Sequence, residues 1–155
     1  MRLVIAAVGR PKDAAVKALV SEYESRAARY WPLESVEVRE ESARGLTPES
    51  VKVREGERLL ERLRGMRLVA CDRDGERYTS EEFSRWLESI RERGGGQDVA
   101  FVIGGAFGLG AAVLAQASSR LSLAPWTLQH ELARIVLAEQ IYRAGTIVRR
   151  EPYHK

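Results

Sequence analysis

The chain opens with six apolar residues in a row, Leu3 to Val8. The run neither alternates nor repeats at helical spacing, which predicts a strand buried on both faces and central in its sheet. Pro11 then predicts the opening of a helix, with Val16, Leu19, Val20, Tyr23 and Ala27 forming one apolar stripe. Val36 and Val38 alternate with Ser35, Glu37 and Arg39, the signature of a half-exposed strand at or near a sheet edge. Glu41 to Gly45 read as a mobile loop. Thr47 before Pro48 supplies a helix cap followed by proline at the first helical position, and Val53, Gly56, Leu60 and Leu63 mark that helix's buried stripe. A glycine inside a helix costs about 1 kcal/mol relative to alanine, so something is expected to pack closely on Gly56.

Arg67 to Cys71 read as the next strand, ending at Asp72. Thr79 and Glu82 match a capping box, Phe83, Trp86, Leu87 and Ile90 form the stripe of the helix behind it, and Gly94 to Gly96 end it. Val99 to Ile103 run apolar into Gly104 and Gly105; Gly108 and Gly110 bracket Leu109; Ala111 to Ala117 carry helix-forming residues. Arg120 to Ala124 read as a short strand stopped by Pro125 and Trp126. His130 to Ala144 form the last predicted helix, apolar around most of its circumference, and Thr146 to Val148 are strand-like. A helix of that kind is buried on more than one side, which a chain of this size achieves most easily at a dimer interface. The alternation of strands and helices along all 155 residues predicts one α/β domain, a three-layer sandwich with a mainly parallel sheet.

Composition narrows the class. The uncharged run Val99 to Ser119 has the length of a membrane span, but four glycines, Gln116 and paired serines argue against one. No small-residue cleavage site follows the first strand, so no signal peptide is expected and the chain is expected to be cytoplasmic. A single cysteine, Cys71, excludes an intrachain disulfide and a cysteine-cluster metal site, and His130 and His154 alone make a zinc site unexpected. The net charge of +3 gains meaning from its location: Arg143, Arg149, Arg150 and Lys155 face only Glu151 in the last 13 residues, which suggests a polyanionic partner.

Candidate chemistry gathers at two places. Ligands of open α/β sheets bind at the carboxyl ends of strands, where the glycine turn at 104–110 and the loop after Ala124 are expected to face one ligand. The glycine pattern only loosely matches a dinucleotide fingerprint, and no Lys-Ser or Lys-Thr follows it as a phosphate loop requires; a nucleoside without a triphosphate fits better. Asp72 joins this site if its strand neighbours that of Val99, whereas Cys71, with no histidine near it in sequence, reads as a small core residue. The second place is the last helix and tail. Glu139 shares the apolar stripe of Leu132, Ile135 and Val136 and needs a partner, which Arg143 supplies one turn on.

Four segments carry a family resemblance: IGG-x-x-GL at Ile103 to Leu109, SLAPWTL-x-H at Ser122 to His130, E-x-x-YRA at Glu139 to Ala144, and the closing PYHK at Pro152 to Lys155. Together they resemble the small SPOUT-class methyltransferases, the ribosomal large-subunit methyltransferase H family, which methylate N3 of a pseudouridine in bacterial 23S ribosomal RNA. The resemblance implies an α/β fold whose C-terminal part is a deep trefoil knot, a property that general topology rules would have argued against. It implies a homodimer, S-adenosylmethionine as cofactor, no metal and no membrane, and 23S rRNA in the assembled 70S ribosome as substrate. By position, the cofactor loops are Cys71 and Asp72; Gly104, Gly105 and Gly108; and Leu123, Ala124, Pro125, Trp126, Thr127 and Leu128. His154 or Lys155 is then expected to deprotonate or stabilise the acceptor, with Tyr153 stacking on or positioning the base. Arg143, with Arg134, Arg149 and Arg150, grips phosphates or braces the tail. His130 is expected to cap its helix or brace the loop.

Two departures from the family pattern stand out. Ala106 and Phe107 follow the paired glycines where members often carry Pro-Glu or another polar residue, and Glu151 precedes Pro152 where some carry histidine. Two rivals keep the expected ribosomal or RNA partner: methylation of transfer RNA by the same fold, and a ribosome-binding factor without catalysis. A nucleotide-binding regulatory domain is a third.

Overall fold

The computed structural model describes residues 1–154, the last of them by its backbone alone. The expectations placed on Lys155 and on the His154 side chain therefore lie outside the described residues. Strands β1 (Leu3–Val8), β2 (Leu33–Val38), β3 (Arg67–Glu76), β4 (Val99–Ile103) and β5 (Ser119–Leu121) make one parallel sheet in the order β2-β1-β4-β3-β5. The two continuous apolar runs, β1 and β4, are adjacent and buried at every position, while the alternating β2 lies at an edge.

Because successive strand side chains point to opposite faces, β1 and β4 each feed two cores. Leu3, Ile5, Val99, Phe101 and Ile103 pack beneath α1 (Ala14–Ala27), α3 (Ser80–Arg93) and α5 (His130–Val148). Val4, Ala6, Val8, Ala100 and Val102 pack against α2 (Pro48–Arg62) and α4 (Ala111–Gln116). The result is the three-layer α/β sandwich the pattern predicts. Gly56 has its close neighbour: a Cβ there would stand 3.1 Å from Val113 Cγ2 of α4.

Several boundaries differ from expectation, each for a local reason. Asp13, not Pro11, starts α1, since its carboxylate accepts hydrogen bonds from the Ala15 and Val16 amides at 2.8 and 3.1 Å; Leu19 faces solvent. The buried side of α2 is Val51, Glu55, Gly56 and Leu59, while Val53 is exposed, because a charged residue occupies an inner position that a hydrophobic count passes over. The loop at Glu41 is anchored by ion pairs to Arg54 and Arg58. Thr146 to Val148 continue α5 instead of forming a strand. Gly145 lets the Tyr30 ring lie where a Cβ would be 2.4 Å away, and the Thr146 hydroxyl donates to the Arg143 carbonyl at 2.8 Å, so packing overrides β propensity.

The largest departure places the site. β3 does not stop at Cys71 but runs on to Glu76, and β5 is shorter than expected because Ser122 leaves the sheet. Leu121 pairs with Cys71 and again with Glu76, and the Ser122 amide donates to the Glu76 carbonyl at 2.8 Å. Residues 72–76 thus stay against the end of β5. From this sheet edge the chain returns across the carboxyl ends of β3 and β4 to lay α5 on α1 and α3.

Candidate active site

Three loops close one cavity of about 710 Å³ at the carboxyl ends of β3, β4 and β5. The first is the end of β3, from Cys71 to Asp74; the second is the turn from Gly104 to Leu109; the third is the connection from Leu123 to His130, with Ala133 from α5 behind it. Its size falls within the range of small-molecule sites. Of the eleven residues expected to hold a cofactor, Cys71, Asp72, Gly104, Gly105, Gly108, Leu123, Ala124, Trp126, Thr127 and Leu128 line this cavity; Pro125 does not.

The turn keeps its shape because side chains have no room in it. A Cβ on Gly104 would stand 2.5 Å from the carbonyl carbon of Gly108, and Gly108 adopts φ 80°, a left-handed conformation that glycine takes without strain. The Gly108 amide closes the turn on the Gly105 carbonyl at 3.0 Å. Gly105 rests on Glu55, a buried carboxylate of α2 whose Oε1 accepts from the Glu41 amide at 3.0 Å and whose Oε2 has no hydrogen-bond partner among the described residues. Burial raises the Glu55 pKa above the ordinary carboxylate value. The Asp72 carboxylate accepts from the Asp74 amide at 2.8 Å, bending the end of β3 over the cavity.

The Cys71 thiol is a wall of this site and not a nucleophile. Desolvation, with the neighbouring Asp72 charge, pushes its pKa up to about 12. His130 is the first residue of α5 and lines the cavity, while Gln129 occupies the cap position, so the expected capping role is not realised. A Cβ on Gly9 would lie 3.8 Å from His130 Nε2 and 3.9 Å from Glu40 Oε2, so both side chains approach the backbone at the end of β1.

Of the residues expected to act in catalysis, Arg143 and Tyr153 form a second cluster. Arg143 binds Glu139 Oε1 through Nε at 3.0 Å and Nη2 at 2.6 Å, and its guanidinium lies 4.9 Å from the Tyr153 ring centre. The Tyr153 hydroxyl donates to the same carboxylate oxygen at 3.3 Å, and its ring packs against that of Tyr142, centres 4.5 Å apart and planes tilted by 56°. Burial, then the Glu139 charge, raises the Tyr153 pKa, so it remains a proton donor at neutral pH. Arg143 lies thirteen positions after His130, about 20 Å along the helix. Within one chain, the cavity meets the first turn of α5, whereas the tail cluster sits on its second half, from Glu139 onward.

Arg134 is not free to grip phosphate. It is buried and paired with Glu24 at 2.7 Å and Glu37 at 2.6 Å, so it ties α5 to α1 and β2. Arg149 and Arg150 are exposed. Sequence reasoning missed Asp74, Gln129 and Ala133 in the cavity and Glu55 behind it. Asp74 lay beyond the expected strand end, and nothing in a hydrophobic pattern marks a buried glutamate.

A model of the family described as "Predicted SPOUT methyltransferase" matches residues 1–154. A protein of Gemmatimonas aurantiaca named "Ribosomal RNA large subunit methyltransferase H" is 54% identical over 156 residues, covering 100% of both chains. One of the same name from Geotalea daltonii is 41% identical, covering 99% of each. Among solved structures, "Probable Methyltransferase from Bordetella pertussis Tohama I" superposes with a TM-score of 0.59 at 18% identity, covering 92% of this chain and 95% of that one.

Proposed function

This chain belongs to the SPOUT methyltransferase family, and we propose that it methylates large-subunit ribosomal RNA, at N3 of a pseudouridine in 23S rRNA of the assembled ribosome. The observation that carries the reading is the cavity built from the three loops beside the β3–β5 crossing. It sits in a chain that matches methyltransferases of this name over its whole length. The α/β-knot fold of the family agrees with the five-stranded parallel sheet and with the return of α5 onto α1 and α3.

The cavity fits S-adenosylmethionine. Gly104, Gly105 and Gly108 offer backbone without side chains, Leu109, Leu123 and Leu128 offer apolar surface, and Asp72 and Asp74 offer carboxylates for hydroxyl or ammonium groups. When bound, the cofactor supplies a methyl group on a sulfonium. The protein's part is to hold the acceptor base in line and to manage the N3 proton, which positioning and a nearby base or cation can do. Tyr153, kept protonated, orients the base by stacking or hydrogen bonding; Arg143 holds Tyr153 and Glu139 in place; and His154 or Lys155 accepts the proton or stabilises the anion.

The placement of the two clusters on different stretches of α5, with His130 about 20 Å along the helix from Arg143, supports a homodimer in which each cavity meets the partner's tail. Trp126, 70% exposed at the cavity, and Leu132, 47% exposed one turn into α5, are the apolar surface such a pairing covers. Exposed Arg149 and Arg150 contribute phosphate contacts to a ribosomal substrate. The reading places the enzyme in the cytoplasm with its substrate.

The deciding experiment measures transfer of labelled methyl to 70S ribosomes, separated subunits and transfer RNA, with ribosomes from cells lacking the protein. Label in 23S RNA of whole ribosomes is expected. Label confined to transfer RNA would replace the substrate, and no label would put a non-catalytic ribosome-binding factor first.

A further inference from the structure

The tail leaves α5 through a backbone conformation that needs support. Arg150 has φ 57°, a left-handed conformation that costs a non-glycine residue about 1 kcal/mol or more. Such residues persist where their surroundings fix them. The Arg150 amide donates to the Ile147 carbonyl at 3.0 Å, and the Glu151 amide to that of Thr146 at 2.8 Å, so the chain turns back on its own helix end. These bonds reverse the chain but do not join the tail to the rest of the domain.

Tyr153 ties the tail to Glu139 and Tyr142 of α5, and Tyr30 ties it to the end of α1. Tyr30, just beyond α1, donates its hydroxyl to Glu151 Oε2. Its ring occupies the space left by Gly145 of α5, stands 5.7 Å from the Tyr142 ring, and is covered by the Arg149 guanidinium at 5.0 Å. Tyr142 in turn carries Tyr153. A continuous path of contact thus runs from α1 through Tyr30 to both sides of the tail, through Glu151 by a hydrogen bond and through Tyr142 to Tyr153 by ring packing. We infer that Tyr30 is a positioning residue that locks the tail through Glu151, so that Tyr153 is presented to the acceptor base in one orientation.

The inference rests on the proposed role of the tail in methyl transfer. The chemistry of the pair suits a lock: the Tyr30 hydroxyl, with its pKa raised to about 12 by the Glu151 hydrogen bond and by burial, keeps its proton across the physiological range. A hydrogen bond to a charged acceptor is among the stronger kind. Gly145 is part of the device, since any side chain there would displace the ring.

The test uses the full-length variants Tyr30→Phe, Glu151→Ala, their double mutant, and Glu151→Gln, whose amide oxygen can still accept from the hydroxyl. Methyl transfer to ribosomes, cofactor affinity by calorimetry and hydrogen exchange over residues 147–153 are measured. Tyr30→Phe and Glu151→Ala each lower kcat about tenfold, the loss of one charged-acceptor hydrogen bond, with cofactor Kd within about twofold of wild type. The double mutant is no worse than the poorer single, Glu151→Gln retains most activity, and exchange in the tail accelerates in Tyr30→Phe. Losses that multiply in the double mutant, or tail exchange unchanged in Tyr30→Phe, overturn the lock. If the wild type transfers no methyl to ribosomal RNA, the functional reading fails while exchange still decides whether Tyr30 holds the tail.

Discussion

Gly75 crosses the backbone of Leu121 with no space for a side chain: a Cβ would stand 2.6 Å from the Leu121 nitrogen and 2.7 Å from its carbonyl carbon. This contact holds the end of β3 against β5, where Leu121 is paired twice. Backbone cannot rotate aside as a flexible side chain can. Gly75→Ala is therefore expected to destabilise the fold by about 3 kcal/mol or more, read as a lower denaturation midpoint at unchanged m-value. A midpoint equal to wild type would mean that the crossing is loose in solution.

Gly104 and Gly108 serve the same turn for different reasons, and their alanine variants separate them. At Gly108 nothing lies within 4 Å of a Cβ, so alanine there meets only the cost of positive φ, roughly 1–2 kcal/mol. At Gly104 the Cβ would strike the Gly108 backbone at 2.5 Å, so the turn itself must open. Cofactor titration is expected to show a several-fold weaker Kd for Gly108→Ala and no measurable binding for Gly104→Ala. Equal effects would remove steric closure as the explanation of the turn.

Glu55 gives stability a pH dependence opposite to that of the surface acids. Its folded pKa is raised, so between the ordinary carboxylate pKa and the folded value the native state holds more protons than the unfolded chain. Stability from this group is fully present below the ordinary value and falls as pH rises through the window above it. Glu82 in the α3 capping box and Asp98 bonded to Arg2 have lowered pKa values, so their contributions are lost as pH falls. Denaturation of wild type and Glu55→Gln from pH 4 to 8 is expected to show a stability difference that grows in favour of Gln with rising pH. A difference independent of pH would mean Glu55 titrates normally.

With its pKa raised to about 12, Cys71 holds only about one thiolate in ten thousand at pH 8. Alkylation is expected to be slower than for a free thiol by several hundred-fold or more, and Cys71→Ala to retain methyl transfer. Rapid alkylation of the native protein would contradict the raised pKa.

Most of the sandwich was legible because strand burial and helix caps are local. Leu3 to Val8, the Thr47 cap and the Thr79–Glu82 capping box all read directly from spacing. The cavity loops were legible because glycine and proline mark them. What could not be read was long-range. The extension of β3 depends on Leu121, 45 residues beyond Glu76 in sequence, and the helical state of Thr146 to Val148 depends on Tyr30 filling the notch at Gly145. Neither partner is visible in a local window, and the Tyr30–Glu151 bond spans 121 residues.

The tail and the cavity can be assigned to one chain or to two by complementation. In the homodimer reading, each site joins the cavity of one protomer to the tail of its partner. A chain lacking residues 152–155 keeps its cavity, and an Ala124→Trp chain fills its cavity but keeps its tail. Each homodimer alone is expected to be inactive, the tail-deleted one with nearly intact cofactor affinity, since its cavity is lined by residues between Cys71 and Ala133. Refolding the two together in equal amounts gives half heterodimers, each with one complete site if the tail works across the interface. Activity should then return to about a quarter of wild type. If both functions belong to one chain, the heterodimer contains no complete site and the mixture stays inactive; that outcome would require the tail to swing from Glu139 toward the start of α5 to reach its own cavity.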